Sequence, residues 1–281
     1  MGITASWRGR CPSLGGLRRN GSTGEPRVEL EHLLLLLAVA VAAGWVDAVV
    51  GGGGLIQLPA LMLVFPGLPP ATAMGTNKLA AIAGTSSAAV AYARRTTIDW
   101  RTTAPAAVLA TVFAGLGALV AASIPAGAFR PVTMVLLLLV LAFVVLRPSF
   151  GTVARDETVS RRRRVAALLL PGVVIGFYDG AFGPGTGTFL VIAFTALLSL
   201  DFVSGSAMAK LVNLGTNIGA LVVFAIGDHI LWRTGLAMAV CSVLGAQLGA
   251  RTALRRGAGF VRAVLVVAVL GMVTRLAFQY L

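Results

Sequence analysis

From residue 33 to the C-terminus, apolar stretches follow one another with only short polar interruptions. They form two sets of five: 33–50, 55–65, 71–93, 104–123 and 129–146, then 165–182, 188–200, 205–226, 233–253 and 260–280. Most reach about 18 residues, the length a helix needs to cross a hydrocarbon core of about 30 Å. The second stretch of each set is too short for that. It follows a glycine-rich break: Gly51, Gly52, Gly53 and Gly54 in the first set, Gly183, Pro184, Gly185, Thr186 and Gly187 in the second. The pattern predicts an all-α, polytopic helical membrane protein with Gly-broken helices. A short re-entrant hairpin plus three full spans would give each set an odd number of crossings; five crossings would do the same. Composition agrees: hydrophobic residues make up 57%, charged ones 12%, and mean hydropathy is +0.90. A soluble domain of 281 residues has to wet its surface and does not need that much apolar content.

The two sets are copies. The chain has two lysines, Lys78 and Lys210, and they lie 132 residues apart. Asp47 and Asp179, Gly51 and Gly183, Gly53 and Gly185, Arg130 and Arg262, and the two Trp-Arg-Thr runs at Trp100 and Trp232 keep the same offset. One ungapped shift aligning so many rare residues points to a duplicated unit. The expected organisation is a tail over 1–27, unit one over 28–146, an Arg-rich cytoplasmic linker over 147–164, and unit two over 165–281. The tail, polar and without an apolar face, reads as disordered and dispensable, or as a mis-called start with translation beginning at Val28. Arginines crowd the third-to-fourth connection in unit one and the fourth-to-fifth in unit two. By the positive-inside rule the units face opposite ways. An inverted repeat is therefore expected, its halves related by an axis in the membrane plane.

Net charge is +13, but the arginines sit in the tail and in connections, so the excess reads as topology and not as nucleic-acid binding. Cys11 and Cys241 form no framework. His32 and His229 flank segments, so no metal cluster or cofactor is expected. With no histidine at depth to serve a nucleophile, an intramembrane enzyme is disfavoured and no catalytic residue is assigned.

Charge inside an apolar segment costs about 2.5–3.5 kcal/mol on insertion scales, which makes Lys78, Lys210, Asp47 and Asp179 the first candidates. The lysines read either as cationic partners of an anion or as structural counter-ions, Lys78 to Asp47 and Lys210 to Asp179. The aspartates read either as proton carriers or as braces of the breaks. A helix that starts after a break points unpaired N–H groups into it, which suits an anion. The other reading of the breaks is close glycine packing between helices. Thr76, Asn77, Thr85 and Ser86 accompany Lys78, while Asn213 and Asn217 lie one turn apart on the Lys210 helix and Tyr178 flanks the second break. The candidate substrate set is Gly51, Gly52, Gly53, Gly54, Asn77, Lys78, Gly183, Gly185, Thr186, Gly187, Lys210, Asn213 and Asn217. The two breaks are expected to be non-helical and to face one central cavity.

Five stretches carry a resemblance: Gly44-Trp-Val-Asp47, Gly51-Gly-Gly-Gly-Leu-Ile-Gln-Leu-Pro59, Gly75-Thr-Asn-Lys-Leu79, Gly176-Phe-Tyr-Asp-Gly-Ala-Phe-Gly-Pro-Gly-Thr-Gly187 and Ala209-Lys-Leu-Val-Asn213. Together they resemble the TauE/SafE sulfite-exporter family, also called the toluene-sulfonate uptake permeases, in its probable membrane transporter branch. The resemblance covers about residues 33–280. It implies a multi-pass inner-membrane secondary transporter in contact with the lipid bilayer, moving a small anion such as sulfite or an organosulfonate. Alternating access with proton coupling is the expected mode. The anion, the direction and a homo-oligomeric state stay open. So do two alternatives: a membrane accessory or assembly protein with no transport of its own, and a channel.

Overall fold

The structure, a computed structural model, describes residues 30–121 and 159–278. The tail, the fifth segment of unit one and most of the linker, as expected from sequence, lie outside these residues. All regular elements among the described residues are helical. Unit one contributes α1 (Leu30–Val50), α2 (Gly54–Val64), α3 (Pro70–Ala93) and α4 (Trp100–Ala121). Unit two contributes α5 (Arg161–Leu169), a π-helical stretch (Leu170–Ile175), α6 (Gly176–Ala181), α7 (Thr186–Leu198), α8 (Phe202–Ile226) and α9 (Trp232–Phe278). Gly257 at φ 74° breaks α9, where a fourth and a fifth segment were expected.

Among the described residues, five helices are long and apolar enough to span a membrane: α1, α4, Arg161–Ala181, α8 and Trp232–Gly257. α2 and α7, of 11 and 13 residues, measure about 17–20 Å and fall short of a bilayer core. α3 has 24 residues but is richer in Gly, Thr, Ser and Asn, as befits a helix at the centre. The first helix of unit two starts at Arg161, four residues earlier than expected, because Ser160 caps it by accepting from the Arg163 amide. The guanidinium of Arg163 then donates to the Ala196 carbonyl and the Ser199 hydroxyl, closing the C-terminus of α7. Pro171 lacks an N–H and crowds the preceding turn, and the helix widens to π there. Asp201 starts α8 by accepting from the amides of Val203 and Ser204 at 2.7 and 2.9 Å.

The two units pack into each other reciprocally. α1 lies along α9, and the π-helical stretch and α6 lie along α4 in the same way. α3 and α8 cross at the centre, each also flanked by the other unit's fourth helix. Single contacts obey the 132-residue exchange. A Cβ on Gly44 would overlap the Ser242 carbonyl, and one on Gly176 would overlap Ala110. A Cβ on Gly249 would overlap the Trp45 carbonyl, and one on Gly117 would overlap that of Phe177. Small residues let helix backbones touch where lipid offers no hydrophobic drive to associate. The outer faces repeat too: Val108, Val112 and Leu116 on α4 match Val240, Leu244 and Leu248 on α9, all exposed at a four-residue spacing. Such stripes are the expected lipid contact of a spanning helix.

These crossings predict a contrast between two glycines. Gly180→Val pushes a side chain into the Ala114 carbonyl, whereas a Cβ on Gly259 meets nothing within 4 Å. Gly180→Val should lower stability by about 1–3 kcal/mol or more, read as a fall in melting temperature in detergent. Gly259→Ala should melt like wild type.

Candidate functional site

The first glycine break is buried and the second is half-buried over Phe182, Gly183 and Pro184. The first comprises Gly51, Gly52 and Gly53, and the second runs from Phe182 to Gly185. Gly54, Thr186 and Gly187, expected to be non-helical, belong instead to the first turns of α2 and α7. Gly51 has φ 83°, Gly183 has 85° and Gly185 has 81°, a region that side chains make costly. The first break meets the first turn of α7: a Cβ on Gly51 would overlap the Gly187 backbone, and the converse also holds. At this point backbone packs on backbone. The Thr188 hydroxyl donates to the Val50 carbonyl at 2.9 Å and ties α7 to the end of α1. Neither α2 nor α7 has a side-chain N-cap. First-turn amides of both helices, such as Leu55 and Ile56 on α2, donate instead to carbonyls of the breaks.

The lysines pair across the units, not within them. Lys78 Nζ lies 2.5 Å from Asp179 Oδ2. Lys210 Nζ lies 3.1 Å from Asp47 Oδ2 and also donates to the Asp47 carbonyl. The counter-ion assignment of Lys78 to Asp47 and Lys210 to Asp179 is overturned. The physical reason is the central crossing of α3 and α8, which carries each lysine over to the other unit's break. Lys78 Nζ indeed lies 3.9 Å from where a Cβ of Gly183 would sit. The Asp47 carbonyl also accepts from the Gly51 amide at 2.7 Å, so Lys210 clamps the first break through its backbone.

The remaining candidates sort by position. Asn77 is buried with its amide beside Gly54, and its Oδ1 has no hydrogen-bond partner. Asn213 and Asn217 are buried on α8; the Asn213 carbonyl and Oδ1 both accept from the Thr216 hydroxyl within the same helix. The Thr186 hydroxyl donates to the Gly183 carbonyl and braces the second break locally. Tyr178 does likewise, donating to the Pro184 carbonyl at 2.7 Å.

Two residues near Asp47 carried no assignment from the sequence. Gln57 on α2 donates to the Ser242 hydroxyl on α9 at 3.0 Å, and both are buried. With Asp47, Gly53 and Gly54 they line a small cavity of about 20 Å³. An amide within an apolar segment was a signal for Gln57. Ser242 gave none, since a lone serine usually bonds its own helix.

Crossed pairing makes a specific forecast. Removing one member of a buried pair costs about 3–5 kcal/mol, because the other is left uncompensated. Lys78→Ala should be rescued in part by Asp179→Ala and not by Asp47→Ala. Lys210→Ala should be rescued by Asp47→Ala and not by Asp179→Ala. Melting temperatures of the four double variants test the pairing, and within-unit rescue would contradict it.

Comparison with known proteins follows the same lines. The family model "Sulfite exporter TauE/SafE" matches residues 36–276. A Sinorhizobium protein named "Probable membrane transporter protein ORF9" is 37% identical over 246 residues, covering 87% of this chain and 92% of its own length. A Haemophilus influenzae "Probable membrane transporter protein" is 35% identical over 257 residues, covering 90% and 97%. The Escherichia coli "Probable membrane transporter protein YfcA" is 35% identical over 248 residues, covering 87% and 89%. No solved structure matches the chain at comparable stringency. The chain belongs to the TauE/SafE sulfite exporter family and is a multi-pass membrane protein of a transporter family.

Proposed function

From that family membership we propose that the chain is a secondary transporter of small anions, of the sulfur oxoanion or organosulfonate class. It works by alternating access of two inverted repeat units in the inner membrane and couples the anion to protons. The observation that carries the reading is the crossed Lys–Asp pairing across two helix breaks. Each pair joins one unit to the other, so any rocking between units has to strain or exchange both. The reciprocal 132-residue contacts support a two-fold relation of the units, and the arginine asymmetry supports its inverted sense. The N-termini of α2 and α7 add partial positive charge beside both lysines, with Asn77 at the first break. An oxoanion does not fit a cavity of about 20 Å³, which has room for one water. In this reading the anion enters when the units part. Lysine suits such a site, being a compact donor that binds an oxoanion as a point charge and lets it go.

The test is flux into proteoliposomes with sulfite, sulfoacetate, taurine and thiosulfate under an imposed pH gradient. Wild type should accumulate at least one anion. Lys78→Ala and Lys210→Ala, where inserted, should lose accumulation. Flux indifferent to the pH gradient would indicate a channel. Lack of flux for every anion, with the lysine variants active in the cell, would indicate an accessory role.

A further inference from the structure

The two charge pairs are repeat-equivalent in sequence but not in surroundings. The Asp179 side chain is 2% exposed and its lysine 3%, whereas the Asp47 side chain is 16% exposed with Lys210 at 1%. The difference follows from what each unit places around its aspartate. The cavity at Asp47 is lined by Ala43, Gln57, Ala81, Gly84 and Ser242 beside the glycines. At the 132-residue offset the corresponding positions hold Ile175, Phe189, Asn213, Thr216 and Ala110. Larger side chains thus stand at four of these five positions, and Tyr178 stacks on Phe182 and meets Phe189 edge-on at the same break. Asp179 is the more deeply enclosed of the two aspartates.

We propose that Asp47 alone of the two aspartates takes up the coupled proton, through this cavity, and that Asp179 is a permanent brace. Both bonds to the Asp47 carboxylate, from Thr85 and Lys210, go to Oδ2 at 3.1 Å. Oδ1 is left for a proton. A single water fits the cavity and finds polar partners in Asp47, Gln57 and Ser242. The charged and titratable groups facing Asp47 are few among the described residues. From α8 comes Lys210, and from α3 Tyr92, whose hydroxyl donates to the Ala48 carbonyl. α2 and α7 carry no charged residue, and on α9 the arginines nearest Ser242 lie nine residues away on either side.

Protonation of Asp47 has one electrostatic consequence. The carboxylate becomes a neutral acid, while Lys210 keeps its bond to the Asp47 carbonyl and stays in place. Its charge is then no longer neutralised and is available to an anion at the first break. Proton and anion binding thereby favour each other, and linkage makes the effect mutual. This second half rests on the anion-transport reading; the proton site does not.

Infrared difference spectra of the purified chain in nanodiscs, recorded against pH, test the site without any anion. Wild type should gain a protonated-carboxyl band on acidification. Asp47→Asn should lose it and Asp179→Asn should keep it. Ala81→Asn copies the unit-two residue and leaves both ion pairs, so it guards against misfolding in Asp47→Asn. It should melt like wild type and lose the band. A band that survives Asp47→Asn or Ala81→Asn, or that Asp179→Asn abolishes, overturns the proposal. Methanesulfonate, which does not titrate in this range, should move the wild-type band to higher pH. An unmoved band in protein that carries methanesulfonate overturns the linkage. Failure of all anion flux would instead sink the transport reading and leave the carboxyl band as it was.

Discussion

An ammonium group inside hydrocarbon has to be neutralised or hydrogen-bonded, and the rest of this structure is arranged around two of them. Lys78 and Lys210 lie on the two helices that cross at the molecular centre. Each finds its carboxylate beside the other unit's break. That requires the third helix of one unit to pass within side-chain reach of the opposite break. Such reach requires tight crossings, and the crossings require glycine and alanine along α1, α4, α6 and α9. Ala106, Ala110, Ala114 and Ala118 on α4 are buried for this reason, and a larger residue at any of them would part the units.

Pairing alone does not make the site a good stabiliser. Desolvating two charges is expensive, and a well-packed apolar pair often does as well. The breaks add to the cost, since α2 and α7 start without side-chain caps and three glycines adopt positive φ. A fold that only had to persist would have little use for either feature. A pair of units that must part and re-form needs contacts that are strong when closed and replaceable when open. Ion pairs that an anion or a proton can compete with meet that description.

Some contacts keep the 132-residue exchange and others do not. Contacts such as Gly44 with Ser242 and Gly176 with Ala110 preserve the exchange. Around the aspartates it has been allowed to lapse. Gln57 and Phe189 occupy the same repeat position, one polar and lining space, the other aromatic and filling it. The same holds for Ala81 against Asn213 and Gly84 against Thr216.

The sequence by itself determined the class and singled out the charged residues at depth. Apolar periodicity and length fix membrane helices because hydrocarbon leaves the backbone no other partners. Rare charged residues at one constant offset point to a repeat because chance seldom repeats them. Asp47, Lys78, Asp179 and Lys210 were legible for the same reason: charge at depth is too costly to be incidental. Their pairing was not legible. An offset relates equivalent residues, and equivalent residues in a two-fold arrangement need not touch; which lysine meets which aspartate depends on how α3 crosses α8. The direct contact of Gly51 with Gly187 was likewise decided by packing, as was the start of α5 at Arg161, which rests on the Ser160 cap and on what Arg163 reaches across on α7. The open pocket at Asp47 lay furthest from reach. It is assembled from α1, α2, α3 and α9, and only their joint placement tells Gln57 and Ser242 apart from any other polar residue in a membrane helix.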